Sequence, residues 1–302
     1  MKAVISGGTG FVGNALTEEL LAGGYEVSIL TRNPDKHENR DHVSYIKWLS
    51  DGAHPENKLE GSDIFINLAG ESINSGRWTD ERKKRILKSR VDATREMIRI
   101  VENLERKPSV FINASAIGIY ESSKSKTHTE NSLDTSSDFL AETVKRWEAE
   151  ASRAKDSGVR TAFTRFGIIL GKEEGALPKM ALPYKLFAGG TVGSGEQWMS
   201  WVHIQDVAKA IRFVIETNHI DGPVNVTSPN PVTMKELGKT LGDVLNRPHW
   251  IPAPAFAIKA ALGEMSTLIL EGQKVIPSVL LENGYTFKYP QLKEALTAIY
   301  RQ

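Results

Sequence analysis

Apolar residues recur along the chain with two alternating periods, and the alternation predicts the architecture. Ala3-Val4-Ile5-Ser6 is a run of small and branched residues, the pattern of a buried strand. Behind a cluster of glycines, Val12, Ala15, Leu16 and Leu20 fall on one face at helical spacing, and Gly23-Gly24 ends that helix. Residues 26–30 read as a second strand, completing a βαβ unit whose crossover should be right-handed. A weaker strand is predicted over 43–48 and a strong one over 63–68. A long charged helix follows from Asp80 to about Leu104, then a buried strand over 110–113, a helix over 139–154 and a strand over 161–169. Residues 127–138 are polar and read as a surface loop. Strands this apolar belong to a parallel sheet covered on both faces.

Beyond Gly171 the pattern loosens, and Gly, Pro and Met are frequent through Gly195. Trp201-Val202-His203-Ile204 and a helix beginning near Asp206 read as a return to the main sheet. From about Thr233 the chain is largely helical, with breaks at Pro248, Pro252, Pro254 and Pro277. The expected fold is α/β: a Rossmann-type doubly wound parallel sheet with a smaller, mostly helical C-terminal substrate lobe. Residues 1–170 form the dinucleotide-binding domain in this reading, with 201–224 returning to it, and 171–302 form the lobe. A chain of 302 residues is long enough for such a division.

Composition narrows the function. Lys+Arg at 38 against Asp+Glu at 37 leaves no electrostatic reason to seek nucleic acid or an anionic membrane. The absence of cysteine excludes disulfides, thiolate metal sites and cysteine nucleophiles. No His or carboxylate cluster has metal-ligand spacing, so no metal is expected. No apolar stretch reaches membrane-spanning length and no basic segment leads into a hydrophobic one, so a cytoplasmic protein is expected. The expected partner is a small molecule; a homodimer is compatible with the sequence.

The glycine cluster carries the first chemistry. Gly7-Gly8-Thr9-Gly10-Phe11-Val12-Gly13 lies between a predicted strand and an amphipathic helix. Glycine there permits a tight turn and a close approach of backbone N–H groups to a pyrophosphate, at a helix start whose dipole favours anions. A glycine-rich turn without a ligand is the bland alternative. At the end of the second strand, NAD sites usually place an acid to bind the ribose 2′-hydroxyl. This chain has Thr31-Arg32-Asn33 and no carboxylate before Asp35. A hydroxyl and a guanidinium suit a 2′-phosphate, so NADP(H) is the expected cofactor. A solvated surface arginine is the alternative.

Further segments carry a resemblance that runs the length of the chain. They are Asn67-Leu68-Ala69-Gly70-Glu71, Trp78, Ser89-Arg90, Ser115-Ala116-Ile117-Gly118-Ile119-Tyr120, and Arg165 before Gly171. Gly193-Ser194-Gly195, the 201–207 segment Trp-Val-His-Ile-Gln-Asp-Val, Asn225-Val226-Thr227-Ser228-Pro229 and Glu271-Gly272-Gln273-Lys274 complete them. With the glycine turn, the chain resembles extended short-chain dehydrogenases. More closely it is similar to a subgroup labelled as an NAD-dependent epimerase family, with a C-terminal region of unknown function. The resemblance implies that Leu68, Ala69 and Gly70 pass beneath the adenine and ribose. It also implies that Arg90 and Arg165 lie near the cofactor, where their charge can meet phosphates; ion pairing within the fold is the alternative for each.

The resemblance further implies a serine after the fifth strand, with a tyrosine and a lysine four residues apart on the next helix. Ser115 occupies the first position. The next helix, Phe139-Leu140-Ala141-Glu142-Thr143-Val144-Lys145, contains no tyrosine, and Lys145 has Ala141 four residues before it. Tyr120 and Lys124 have the spacing but follow Ser115 too closely. Three candidates remain for acid–base work: Glu71 at the end of the fourth strand, whose carboxyl would need dry surroundings; Tyr120, donating from a loop above the same edge; and Ser115 as an orienting partner. His203 titrates near neutrality, or is a structural residue of its strand. Two functions follow: an NADP-dependent oxidoreductase or epimerase acting on a small polar substrate, or a non-catalytic NADP(H)-binding redox sensor.

Overall fold

The computed structural model describes residues 1–50 and 52–301. Seven parallel strands form its central sheet: β1 (Lys2–Ser6), β2 (Glu26–Thr31), β3 (Val43–Lys47), β4 (Ile64–Asn67), β5 (Val110–Ala116), β6 (Arg160–Phe166) and β7 (Gly222–Val226). Their order across the sheet is β3-β2-β1-β4-β5-β6-β7. The chain therefore winds outward from β1 in one direction and then, from β4, in the other. The loops after β1 and β4 diverge, opening the crevice where such sheets place ligands.

Both faces are covered, which is why the strands are apolar without alternation. Ile64, Phe65 and Ile66 of β4 are all fully buried, each worth about 1.5–3 kcal/mol of apolar burial. Helices α1 (Phe11–Ala22) and, much later in the chain, Ile204–Glu216 share one face, where Leu16 and Leu20 meet Val207, Ile211 and Val214. Helices α2 (Asp80–Asn103) and α3 (Phe139–Ser152) cover the other through Ala93, Met97, Ile100, Val101 and Ala151. The lobe has a core of its own. There α4 (Leu177–Lys185) packs with two later helices, the helix 204–216 being α5: α6 (Met234–Leu245) contributes Leu237 and Leu241. After α7 (Ala255–Leu262), α8 (Leu292–Tyr300) adds Leu296 and Ile299 to the same core. A capping box between Thr233 and Glu236 starts α6.

Three expectations are corrected. The strand expected over 161–169 breaks at Gly167, where a Cβ would strike the Ser200 carbonyl oxygen. Beyond the break, Ile168–Leu170 leaves the central sheet and pairs in parallel with Trp201–His203. The segment 201–204 is thus not the strand that rejoins the main sheet; β7 is, and its Gly-Pro start concealed it. The polar stretch 127–138 is more than a surface loop. Thr127–His128 pairs with Lys274–Val275, and Glu130 is buried with its carboxylate accepting backbone N–H groups from Asn225, Ser278 and Val279. No helix among the described residues is long and apolar enough to cross a membrane.

Candidate functional site

The glycine turn follows β1 into α1 at the switch point. Its glycines are not alike. A Cβ on Gly7, which has a φ of +70°, would lie 2.8 Å from the Leu68 carbonyl, and one on Gly8 would press on Ile29 at 2.8 Å. One on Gly13 would strike Gly7 and Gly8. Those three glycines let β1, β2, β4 and α1 pack. Gly10 is different: a Cβ there would meet only the Gly7 oxygen, at 3.4 Å. Gly10 caps α1 with no side-chain hydrogen bond, and the first turn holds no acid. The turn thus offers open space before uncapped helical N–H groups, as a bound phosphate requires. Thr9 is exposed, Val12 packs on the core, and the Phe11 ring covers Gly171 and Gly175.

At the end of β2, Arg32 is exposed and forms no ion pair among the described residues. Thr31 precedes it, its hydroxyl accepting a weak bond from the Asn33 N–H at 3.4 Å. On the other side of β1, Asn67 organises the start of the Leu68–Gly70 segment. Its Oδ1 accepts from Ser6 Oγ at 2.6 Å and from the Ala69 N–H at 3.3 Å. Its Nδ2 donates to Thr94 Oγ1 at 2.8 Å and to Asn113 Oδ1 at 2.7 Å. Thr94 Oγ1 also accepts from the Trp147 indole at 2.9 Å and donates to the Arg90 carbonyl at 2.8 Å. This neutral network is buried and closed, so it fixes where the segment leaves the sheet.

Arg90 lies under that segment. Its Nη1 donates to the carbonyls of Glu71 and Ile86, each at 3.0 Å, and its guanidinium sits 5.1 Å from the centre of the Trp147 ring. A Cβ on Gly70 would be 3.2 Å from Arg90 Cζ, a contact tight enough that the guanidinium would have to shift.

The β5–β6 side holds Ser115, Tyr120 and Arg165, and none of them faces open space. Ser115 Oγ donates to Glu148 Oε1 at 2.6 Å. Arg165 grips Glu148 with two bonds of 2.8 Å, from Nε and Nη2. Its Nη1 donates to Tyr120 Oη at 2.9 Å, and that hydroxyl donates to Asn225 Oδ1 at 2.8 Å. Burial alone would lower the Arg165 pKa, but the Glu148 carboxylate outweighs it and holds it above the ordinary value. Burial likewise pushes the Tyr120 hydroxyl up, against the pull of Arg165.

These contacts correct several expectations. Tyr120 is not in a loop above the edge but fully buried, so it cannot hand a proton to a substrate. Ser115 turns its hydroxyl inward, leaving half-buried Ala116 at the strand's end. Arg165 is spent on Glu148 rather than held for a phosphate. Glu71 lacks dry surroundings: Arg82 and Arg85 pair with it at 3.2 and 3.4 Å, and its side chain is 31% exposed. His203 caps α5, its Nδ1 accepting the Gln205 N–H at 3.1 Å, and burial lowers its pKa to about 4. It is neutral and structural.

The sequence profile of the NAD dependent epimerase/dehydratase family matches residues 3–227, well over half of the chain. The chain belongs to that family. A second profile, for a domain of unknown function, matches residues 253–299, which include α7 and most of α8. The epimerase family protein YfhF of Bacillus subtilis is 48% identical over 299 residues, covering 99% of this chain and 98% of that one. The chloroplastic SDR39U1 homolog of Arabidopsis thaliana is 39% identical, covering 99% of this chain and 86% of its own. The crystal structure of the human epimerase family protein SDR39U1 with NADPH superposes with a TM-score of 0.89 at 32% identity, covering 100% of both chains. A UDP-glucuronic acid 4-epimerase from Bacillus cereus, solved with its substrate and NAD, shares the fold at 16% identity and a TM-score of 0.80.

The composition of α3 departs from the tyrosine–lysine pattern that the resemblance implied. It has no tyrosine, and Lys145 Nζ donates to the Ser136 carbonyl and the Glu142 carboxylate. Sequence reasoning gave no role to Glu148 or Asn67. Glu148 had a signal, because it falls on the apolar face of α3 with Val144, Trp147 and Ala151; a charge there needs a buried partner. Asn67 had a weaker one, a polar residue ending a wholly buried strand.

Proposed function

We propose that this epimerase-family protein binds NADP(H) and uses it in oxidoreductase or epimerase chemistry on a small polar substrate. The observation that carries the reading is the space at Gly10, in front of an α1 start that no side chain among the described residues caps. Gly10, Phe11 and Val12 would hold the pyrophosphate with backbone N–H groups, and Leu68–Gly70 would lie beneath the adenosine ribose. Thr31 and Arg32 would take the 2′-phosphate, with no acid between them and it. The human relative solved with NADPH supports the choice of cofactor.

When bound, the nicotinamide supplies or accepts a hydride at the substrate carbon. The chain's own residues position both ligands against the open ends of β4 and β5, and Trp147 and Asn67 keep those ends rigid. The chain presents no unengaged tyrosine or lysine on α3 for proton transfer, which favours a second reading: an NADP(H)-binding redox sensor without turnover.

Calorimetry of NADPH and NADH on the wild type and on Arg32→Ala tests the cofactor. NADPH should bind more tightly, and the substitution should remove that preference, about 10–150-fold for a charge-assisted contact worth about 1.5–3 kcal/mol. Equal affinity for both dinucleotides in the wild type refutes the assignment. A carbonyl-substrate screen that consumes no NADPH, although the cofactor binds, makes the sensor the better reading.

A further inference from the structure

We propose that one face of the C-terminal lobe docks the protein on an anionic lipid surface. The face is made by the end of α4, the residues just before α7, and α7 itself. Six of the ten exposed large apolar side chains among the described residues gather there: Leu182, Leu186, Phe187, Trp250, Ile251 and Phe256. Trp250 is 67% exposed and Phe256 76%. Hydrogen bonds hold the two segments side by side. Trp250 Nε1 donates to the Phe187 carbonyl at 2.8 Å. The Trp250 and Ala253 N–H groups donate to the Gly189 and Thr191 carbonyls at 2.9 and 2.8 Å. Phe256 follows on the first turn of α7. A single exposed leucine needs no explanation, but a gathering of this size on one face marks a contact surface.

α7 is the clearest part of that surface. Its sequence is Ala-Phe-Ala-Ile-Lys-Ala-Ala-Leu, and none of its eight residues is buried. The helix is held from its end instead. Arg77 donates from Nε and Nη2 to the Ala261 carbonyl at 3.2 and 2.9 Å, and from Nη2 to that of Ala260 at 3.3 Å. An apolar helix left uncovered by the protein's own core leaves its apolar surface for another body. The charges indicate which. Residues 182–190 and 247–262 contain no Asp or Glu, and their basic side chains are Lys185, Arg247 and Lys259. None of these three forms an ion pair among the described residues, and the Arg247 guanidinium sits 4.4 Å from the centre of the Phe187 ring. The acid that follows α7, Glu264, is taken by Lys83 at 2.8 Å. Apolar tips among unpaired cations suit the boundary of an anionic bilayer, where the tips enter the acyl edge and the cations meet lipid phosphates. A second copy of the chain fits less well. A two-fold contact through this face would bring two sets of three cations together with no acid from either segment to offset them. The balance of 38 basic against 37 acidic residues over the whole chain conceals this local excess.

The experiment is co-sedimentation of the full chain with two kinds of vesicle: phosphatidylcholine alone, and equimolar phosphatidylcholine and phosphatidylglycerol. Wild type should bind the anionic vesicles at least about tenfold more tightly than the neutral ones, and added salt should narrow the difference. Leu186→Ser with Phe256→Ser removes two exposed side chains and should lower binding to the anionic vesicles about tenfold or more. Lys185→Glu with Lys259→Glu should abolish the preference for the anionic vesicles. Urea unfolding of both double variants, with midpoints close to that of the wild type, separates lost docking from lost fold. A wild type that binds neither vesicle overturns the proposal and leaves the face to a protein partner. Binding that both double variants retain in full also overturns it, because another surface then meets the lipid. A wild type that is dimeric in light scattering and turns monomeric with Leu186→Ser and Phe256→Ser refutes it in favour of a second copy.

Discussion

The two halves of the sheet's open edge are built on opposite plans. Around β1 and β4, polar groups are held in place by a neutral network while space is left at Gly10, and the Nε and Nη2 of Arg90 carry no hydrogen bond among the described residues. Around β5 and β6, a network with a formal ion pair at its centre leaves nothing free: Ser115, Glu148, Arg165, Tyr120 and Asn225 saturate one another. The first half leaves space and donors unused. The second is a brace joining α3, β5, β6 and β7. A tyrosine beside a guanidinium and a serine has the composition of an acid–base site, yet its burial makes it structure. Chemical type alone does not separate the two; the direction of each hydrogen bond does.

Breaking the brace should cost most. Arg165→Met leaves the Glu148 carboxylate buried and unpaired, and a loss of about 3–5 kcal/mol is expected in urea unfolding. A loss under about 1 kcal/mol would mean that the pair is not holding the sheet. On the β1–β4 side the signs reverse. Gly10→Val should leave the unfolding midpoint nearly unchanged and abolish NADPH binding, because the added side chain fills the phosphate space; an unchanged titration in a folded variant contradicts the contrast.

Tyr120→Phe strands Arg165 Nη1 and Asn225 Oδ1 and should cost about 1–3 kcal/mol. Any turnover the protein shows should be unaffected, and a turnover loss out of proportion to unfolding would return Tyr120 to the chemistry. A pH-dependent effect concerns His203. Its folded pKa, about 4, lies below the ordinary 6.5. Its neutral form therefore contributes stability that is complete above pH 6.5 and is lost as pH falls towards 4. His203→Asn, which keeps a capping side chain, should flatten that part of the stability profile.

Much of this was legible beforehand. The regular strands β1 to β5, the helices between them and the glycine turn follow from periodicity, because burial on both faces leaves little freedom in composition. The C-terminal half was harder to read. The break at Gly167 depends on the approach of Ser200, thirty-three residues away, and β7 is a short strand whose Gly222-Pro223 start resembles a turn. The site residues divide the same way. Gly10 and Arg32 are local features of their segments. The burial of Tyr120 and Ser115 depends on Glu148, Arg165 and Asn225, which only the tertiary fold brings together.

The position of β7 bears on how the chain is made. β6 lies between β5 and β7, so until residues 222–226 have emerged from the ribosome it is an outer strand with unpaired backbone groups along one side. Such an unpaired strand edge is a template for pairing with a neighbouring chain. A nascent or truncated protein ending before Gly222 thus exposes an adhesive border.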